Sequence, residues 1–266
     1  MEIPKLIHYC WFGKNPLPTK VQMCIQSWKK YCPDYKIILW NEENYDINKN
    51  KYIKDAYVAK KWAFVSDYVR LDVVYQYGGI YLDTDVELIR SCDELLSTNV
   101  FLAIEKQNLN INSGLGFGAV KGDNSIKALR DMYNDLSFLL SDGSYNLVAC
   151  PEYITSFFKQ KGYIKKDRTQ KIGDVLILSS EYFCPIDYNT GIKNITANTI
   201  GIHWYDASWF EKSDKKIHEV EMLIRRKIPG KSGKILCFLY RKIYRLFEYT
   251  KSGTLFKKIR EQIGEQ

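Results

Sequence analysis

W-A-F-V-S-D-Y-V-R-L-D-V-V-Y-Q-Y-G-G-I-Y-L-D-T-D-V-E, from Trp62 to Glu87, is the stretch on which the reading of the whole chain depends. Its first part predicts a helix. Ala63, Val69, Leu71, Val73 and Val74 are apolar, and no Pro or Gly interrupts before Gly78. Gly78-Gly79 predicts the helix end, because glycine tolerates the left-handed conformation a helix terminus often uses. Ile80-Tyr81-Leu82 is then a short apolar run of strand type, and it breaks surface at Asp83-Thr84-Asp85. In an open α/β sheet that carboxyl edge is where ligands bind.

Two carboxylates one residue apart at a strand end offer hard oxygen donors to Mg²⁺ or Mn²⁺, which in turn hold a diphosphate. The helix adds a second device. Asp67 and Arg70 are three positions apart and share one helical face, where they form a polar spot with Ser66. Each signal alone is weak. Surface turns are full of Asp, and an exposed Asp–Arg pair contributes under about 1 kcal/mol. Joined in one helix–Gly-Gly–strand–carboxylate unit, they are far more specific.

The S-D-x-x-R at Ser66–Arg70 followed by Y-x-x-G-G-I-Y-L-D-x-D up to Asp85 resembles the DXD-motif sugar transferases of glycosyltransferase family 32. That family includes Golgi mannosyltransferases and bacterial capsule and lipopolysaccharide enzymes. The same block is similar to that of the glucosylating bacterial toxins. The resemblance runs from Ile3 to about Trp209 and is thin after Ala119. It implies an α/β, GT-A type, Rossmann-like nucleotide-diphospho-sugar transferase fold with a mostly parallel sheet. It also implies roles. Asp85 would bind the metal directly, and Asp83 would hold the ribose hydroxyls, the metal's water, or both. Asp67, Arg70 and Ser66 would grip the donor sugar. Retention of anomeric configuration comes with the family.

Outward from the block, Lys5 to Phe12 predicts a first strand that resembles the family's opening I-P-K-x-I-H-x-x-W. In relatives the aromatic at its end stacks on the nucleotide base, so Trp11 is the candidate; a core tryptophan is the alternative. His8 in mid-strand reads as a core histidine. Thr19 to Tyr31 predicts a helix with Val21, Cys24, Ile25 and Trp28 on one face, and Tyr35 to Trp40 a second strand. Strand, helix, strand at this length argues for a βαβ unit. A short helix is expected around Ile53 to Lys60.

Beyond the block, Val100 to Glu105 predicts a strand. Asn112-Ser113-Gly114-Leu115-Gly116-Phe117-Gly118-Ala119 has the wrong spacing for a dinucleotide loop and reads as backbone approaching a ligand. By resemblance to the toxins, Asn112 is a donor contact. Helices are expected at Ser125 to Leu140 and Pro151 to Phe158. A strand is expected at Val175 to Leu178, with Glu181–Phe183 a candidate extension. Ile200 to Trp209 resembles the family's closing H-x-x-x-x-S-W. It makes His203 a candidate third metal ligand, since imidazole suits Mn²⁺ better than Mg²⁺. A hydrogen-bonding histidine in an aromatic cluster is the other reading. Ser208 and Trp209 are candidate diphosphate contacts.

The chain has 266 residues, 45% hydrophobic and 26% charged, as expected of a soluble globular α/β protein. Its net charge of +8 suits an anionic partner. The 7 cysteines contain no C-x-x-C, which argues against a zinc ribbon or a redox pair and for buried thiols in a reducing compartment. The N-terminus does not read as a signal peptide, and no apolar run approaches a membrane span. The expected organisation is a catalytic domain over 1–210 and a helical, basic segment over 211–266. In that segment Lys234 to Phe247 is basic and apolar at helical spacing. It reads equally as a membrane-surface element or as a packed helix with a solvated basic edge.

The expectation is therefore a Mn²⁺- or Mg²⁺-dependent hexosyltransferase, with UDP-sugars favoured over GDP-sugars. The acceptor is a glycan, with a lipid-linked one in view. The expected setting is bacterial surface polysaccharide synthesis in the cytoplasm, with the inner membrane face as a candidate docking place. A nucleotidyltransferase would carry a basic Gly-rich phosphate loop near its start, and Phe12-Gly13-Lys14 is a poor substitute. A degenerate glycan-binding module is countered by the intact Asp67, Arg70, Asp83 and Asp85. A nucleic-acid binder has charge alone in its favour.

Overall fold

The computed structural model describes residues 2–205 and 212–251, which form two compact units. The larger runs to Ile186 and takes in the stretch beginning at Lys193; the smaller joins Asp187–Ile192 to the C-terminal helices.

The larger unit is built, in order, from β1 (Leu6–Cys10), α1 (Thr19–Tyr31), β2 (Lys36–Trp40), α2 (Lys51–Val58), α3 (Trp62–Tyr77), β3 (Gly79–Tyr81), β4 (Val86–Leu88) and β5 (Val100–Ile104). There follow β6 (Ile111–Asn112), β7 (Phe117–Ala119), α4 (Asn124–Asp131), α5 (Cys150–Lys159), β8 (Gln170–Ile172), β9 (Val175–Leu178) and β10 (Gly201–His203). The main sheet has the order β2-β1-β3-β7-β5-β9-β8, with β6 on β5. β1 pairs in parallel with β2 and β3, and β5 with β9. β7 runs antiparallel between β3 and β5. The sheet is thus mixed, with β1, β2, β3, β5 and β9 pointing one way.

Period-two alternation feeds two cores, one on each face of the sheet. On β5, Val100, Leu102 and Ile104 join one core and Phe101 and Ala103 the other, all five fully buried. On β3, Tyr81 joins the first and Ile80 the second. Helix α1 supplies Val21, Cys24, Ile25 and Trp28 to the second core, as its spacing predicts. The cysteines are buried free thiols.

α3 is buried on nearly all sides and ends where expected, but not in the expected way. Gly78 has φ 68 and ψ −172. That is not the left-handed helical turn but a region essentially open to glycine alone. A Cβ on Gly78 would lie 2.8 Å from the Lys121 backbone nitrogen and 2.9 Å from the Pro4 ring. α3 is anchored by Asp72, whose fully buried carboxylate accepts from Tyr45, Lys49, Gln76 and Arg130.

Two sequence expectations change. The helix expected over 125–140 ends as α4 at Asp131, with a single 3₁₀ turn over Met132–Asn134. Tyr133 and Phe138 are both buried, and their spacing does not return to one helical face. The chain leaves the helix to bury both, and Leu139 bridges back to Tyr145. Glu181–Phe183 does not extend β9: it forms a turn in which Tyr182 N donates to Ser179 O.

His8 is a core residue. Trp40 Nε1 donates to its Nδ1 at 3.1 Å, so the proton sits on Nε2, which donates to Gly78 O at 2.8 Å. Burial pushes its pKa down to about 4. The unfolded chain takes up this proton first on acidification, so the stability present above the ordinary histidine pKa is lost as pH falls toward 4. The whole shift corresponds to about 3 kcal/mol. Urea unfolding midpoints are expected to drop more between about pH 7 and about pH 4.5 in the wild type than in His8→Gln, which can keep both hydrogen bonds. Equal drops would show that His8 is not held neutral.

The smaller unit is a helical hairpin of α6 (Lys212–Lys227) and α7 (Lys231–Lys251). Pro229-Gly230 breaks the chain between them, with Gly230 at φ 82. Gly233 lies inside α7; a Cβ there would strike the Ile228 carbonyl oxygen at 1.9 Å. Arg241 donates to both Glu221 carboxylate oxygens at 2.8 and 2.7 Å, and Arg245 pairs with Asp214.

Candidate functional site

The site is built around Arg70. Its place on α3 puts the guanidinium over the carboxyl edge of β3. There Nη2 lies 3.1 Å from Asp67 Oδ1 and 3.2 Å from Asp83 Oδ1. The same arm donates to Ser66, through Nε to the backbone oxygen and Nη2 to Oγ, each at 3.1 Å. The Tyr81 ring lies 5.0 Å from the guanidinium carbon, and its hydroxyl donates to Asp83 Oδ1 at 2.9 Å. One cation thus ties the helix-borne carboxylate to the strand-borne one. Burial raises Asp67 to about 6, against the pull of Arg70. Asp83 is raised by the same cause, again opposed by Arg70.

The Gly-rich run closes over this group. A Cβ at Gly114 would sit 2.2 Å from Asp83 Oδ2 and 3.0 Å from Arg70 Nη1. The close approach foreseen for that backbone is thus made to the site's own carboxylate. Asn112 holds the turn: its Oδ1 accepts from Gly114 N at 2.6 Å and its Nδ2 donates to Glu105 Oε1 at 2.7 Å. The later half of the run, Phe117–Ala119, is the central strand β7.

Glu105 is a member of this group that sequence reasoning missed. It follows β5, which runs in the direction of β3, so it emerges at the same sheet edge. It is 8% exposed, and its pKa is raised by burial, with Asn112 opposing. The signal was present: a carboxylate closing the wholly apolar V-F-L-A-I strand.

His203 arrives through pairing that no local pattern encodes. β10 pairs antiparallel with β4, setting His203 opposite Val86 and so beside Asp85. Nε2 lies 3.4 Å from Asp85 Oδ1, and Trp204 N donates to Asp85 O at 3.0 Å. Burial lowers the His203 pKa, but Asp85, Asp83 and Glu105 together oppose it and the net shift is upward. Its Nδ1 is buried without a partner among the described residues. The His203 and Tyr205 rings meet edge to face at 4.3 Å. His203 thus stands beside the Asp85 carboxylate and against the Tyr205 ring.

Among the described residues, no three His, Cys, Asp or Glu side chains cluster to hold a metal unaided. What the chain offers is a pair, Asp85 and His203, of oxygen and imidazole character. A divalent cation so held needs further oxygens, which suits an ion shared with a diphosphate. Nε2, the nitrogen that faces Asp85 at 3.4 Å, is the one placed to share such an ion with it.

Trp11 leaves β1 at the same sheet edge as Asp83, since His8 pairs with Tyr81. It is half-buried, and its indole N–H donates to Asn15 O at 2.6 Å. Ser208 and Trp209 lie outside the described residues.

Comparison with known proteins gives a family match over residues 18–102 to the glycosyltransferase sugar-binding region containing DXD motif. The chain is similar to inositol phosphoceramide mannosyltransferase 3 of Schizosaccharomyces pombe, at 32% identity over 43% of this chain and 33% of that protein. It is also similar to the mannosyl phosphorylinositol ceramide synthase SUR1 of Saccharomyces cerevisiae, at 28% identity over 68% of this chain and 47% of that one. The chain therefore spans between a third and a half of the length of these curated relatives. Among solved structures, the PaToxG glycosyltransferase aligns with a TM-score of 0.47 at 17% identity, over 60% of this chain and 70% of that one. The galactosyltransferase LgtC, described in complex with donor and acceptor sugar analogues, aligns with 0.44 at 12%, over 78% and 90%.

Proposed function

From the premise that residues 18–102 belong to the DXD-containing sugar-binding region of glycosyltransferases, we propose that this chain moves a hexose from a nucleotide sugar to a glycan acceptor on a GT-A type α/β fold. The observation that carries the reading is the single guanidinium of Arg70 joining Asp67 to Asp83 beneath the backbone of Gly114. That arrangement presents polar atoms from a helix and a strand end at one sheet edge, beside Asp85 and His203.

In this reading Asp67, Arg70 and Ser66 orient the donor sugar, and Asp83 takes the ribose hydroxyls. Trp11 stacks on the base, and Asn112, with Ser208 and Trp209, completes the donor contacts. Asp85 and His203 hold Mn²⁺ or Mg²⁺, with Asp83 close by. When bound, the cation neutralises charge on the departing diphosphate. The protein's own contribution is alignment and preorganised charge. Asp67 and Asp83 are both committed to Arg70, which disfavours either as the base of an inverting transfer. Retention is what the family resemblance implies, and it is read from the anomer of the first-formed product by NMR.

Mannosyltransferase relatives bring mannose into the donor panel and a glycolipid into the acceptor panel. Capsule and lipopolysaccharide glycans stand beside it as acceptors, and the cytoplasmic membrane face as the setting. Calorimetric titration with UDP and GDP tests the site directly. One nucleotide is expected to bind with Mn²⁺ and to bind at least about tenfold more weakly in Asp85→Ala. Equal binding with chelator present and in the variant would contradict the reading. A nucleotide sugar that binds but is never turned over would favour a binding module instead.

A further inference from the structure

We propose that α7 is an interfacial helix that docks this chain on an anionic lipid surface. The helix divides cleanly by burial. Gly233 and Cys237 are buried, and Tyr240, Tyr244 and Glu248 half-buried, at the three- and four-residue spacing of one packed stripe. Cys237 Sγ donates to Glu221 O at 3.6 Å, so that stripe faces α6.

The opposite face is apolar and open. Ile235, Leu239, Ile243 and Leu246 are 59, 47, 67 and 53% exposed, and Leu236 and Phe247 widen the stripe. Turned at 100° per residue, these side chains fall within roughly a third of the helix circumference. A soluble monomer rarely leaves so contiguous an apolar strip in water.

Charge decides the occupant. Lys231, Lys234 and Lys242 are exposed along one flank of the strip; Arg241 and Arg245 lie beside them, paired with Glu221 and Asp214 of α6. The Lys242 ammonium lies 4.6 Å from the Phe238 ring centre. Among the described side chains of α7 the one carboxylate, Glu248, sits on the packed stripe. An apolar strip edged by cations, with no carboxylate on the open face, complements acyl chains beneath anionic headgroups. A protein partner with an apolar groove would not require the uniform sign. Among the described residues no helix is long and apolar enough to cross a membrane, so α7 would lie along the surface.

Co-sedimentation of the full chain with phosphatidylcholine vesicles, with and without about 30 mol% phosphatidylglycerol, tests this. Binding is expected only to the anionic vesicles, and should weaken as salt is raised to about 0.5 M. Leu239→Glu/Ile243→Glu and Lys234→Glu/Lys242→Glu should each reduce partitioning about tenfold or more. All four positions are exposed, so helicity and melting temperature should match the wild type, which separates lost docking from lost folding. Equal binding to neutral vesicles, or binding untouched by either double variant, would overturn the proposal. So would concentration-dependent dimerisation through this strip without vesicle binding, which would make a second copy the occupant. The four substituted positions include no residue named in the donor site, so nucleotide binding in solution is expected to be the same in wild type and variants.

Discussion

Arg70→Met is expected to lower the free energy of unfolding by about 3 kcal/mol. For a chain of this size that corresponds to a fall in melting temperature of about 6–12 °C. Arg70 is 4% exposed, and its guanidinium serves Asp67, Asp83 and Ser66 at once. Methionine fills much of the same volume but leaves two carboxylates facing each other without a cation. Asp67, already raised to about 6, then loses the charge that opposes its burial and takes up a proton. Arg70→Lys should recover little, because a single ammonium cannot reproduce a planar fork with several partners. Urea denaturation at neutral pH checks this. A variant within about 0.5 kcal/mol of wild type would show that the ion pair does not hold helix to strand.

Gly114→Ala should separate function from stability. Its φ lies outside the left-handed region, so the residue is needed for space alone. The new methyl would meet Asp83 Oδ2 at 2.2 Å, and the carboxylate must swing away from Arg70 and Tyr81. Overpacking of this kind costs about 1–3 kcal/mol of stability. The functional cost is larger. Displacing a positioning carboxylate by about 1 Å is expected to reduce turnover about a hundredfold. The check is kcat/KM for nucleotide release alongside a melting curve. A well-folded Gly114→Ala with wild-type turnover would remove Asp83 from the donor site.

Much of this was legible from Trp62–Glu87 because its signals are local. A breaker-free apolar helix, Gly78-Gly79 and a short strand ending in Asp83 are written within one window, and α3 and β3 follow. The same holds for α1, β2 and β5. What the sequence hid depends on pairing at a distance. β7 enters the sheet antiparallel between β3 and β5 although Phe117–Ala119 reads as a Gly-rich loop. The strand is short, and Gly118 is small because the Phe101 ring occupies its side-chain space. His203 could be suspected by resemblance, but its partner Asp85 depends on the β4–β10 register. Asp72 was missed because an acidic residue inside an apolar run carries no mark of what will satisfy it, whereas Glu105 was marked by its place at the end of an apolar strand. The end of α4 was misjudged because Ile126, Leu129 and Tyr133 keep a helical beat that Phe138 breaks.

Nucleotide release tests whether Asp67, Arg70 and Asp85 act together on a nucleotide sugar. The protein would be incubated with Mn²⁺ and a panel of UDP- and GDP-sugars, mannose donors included, with and without glycan and glycolipid acceptors. Release is expected from one donor, abolished by chelator and reduced about a hundredfold or more in both Asp85→Ala and Asp67→Ala. Release that persists unchanged in either variant, or a panel in which no nucleotide sugar binds at all, would contradict it.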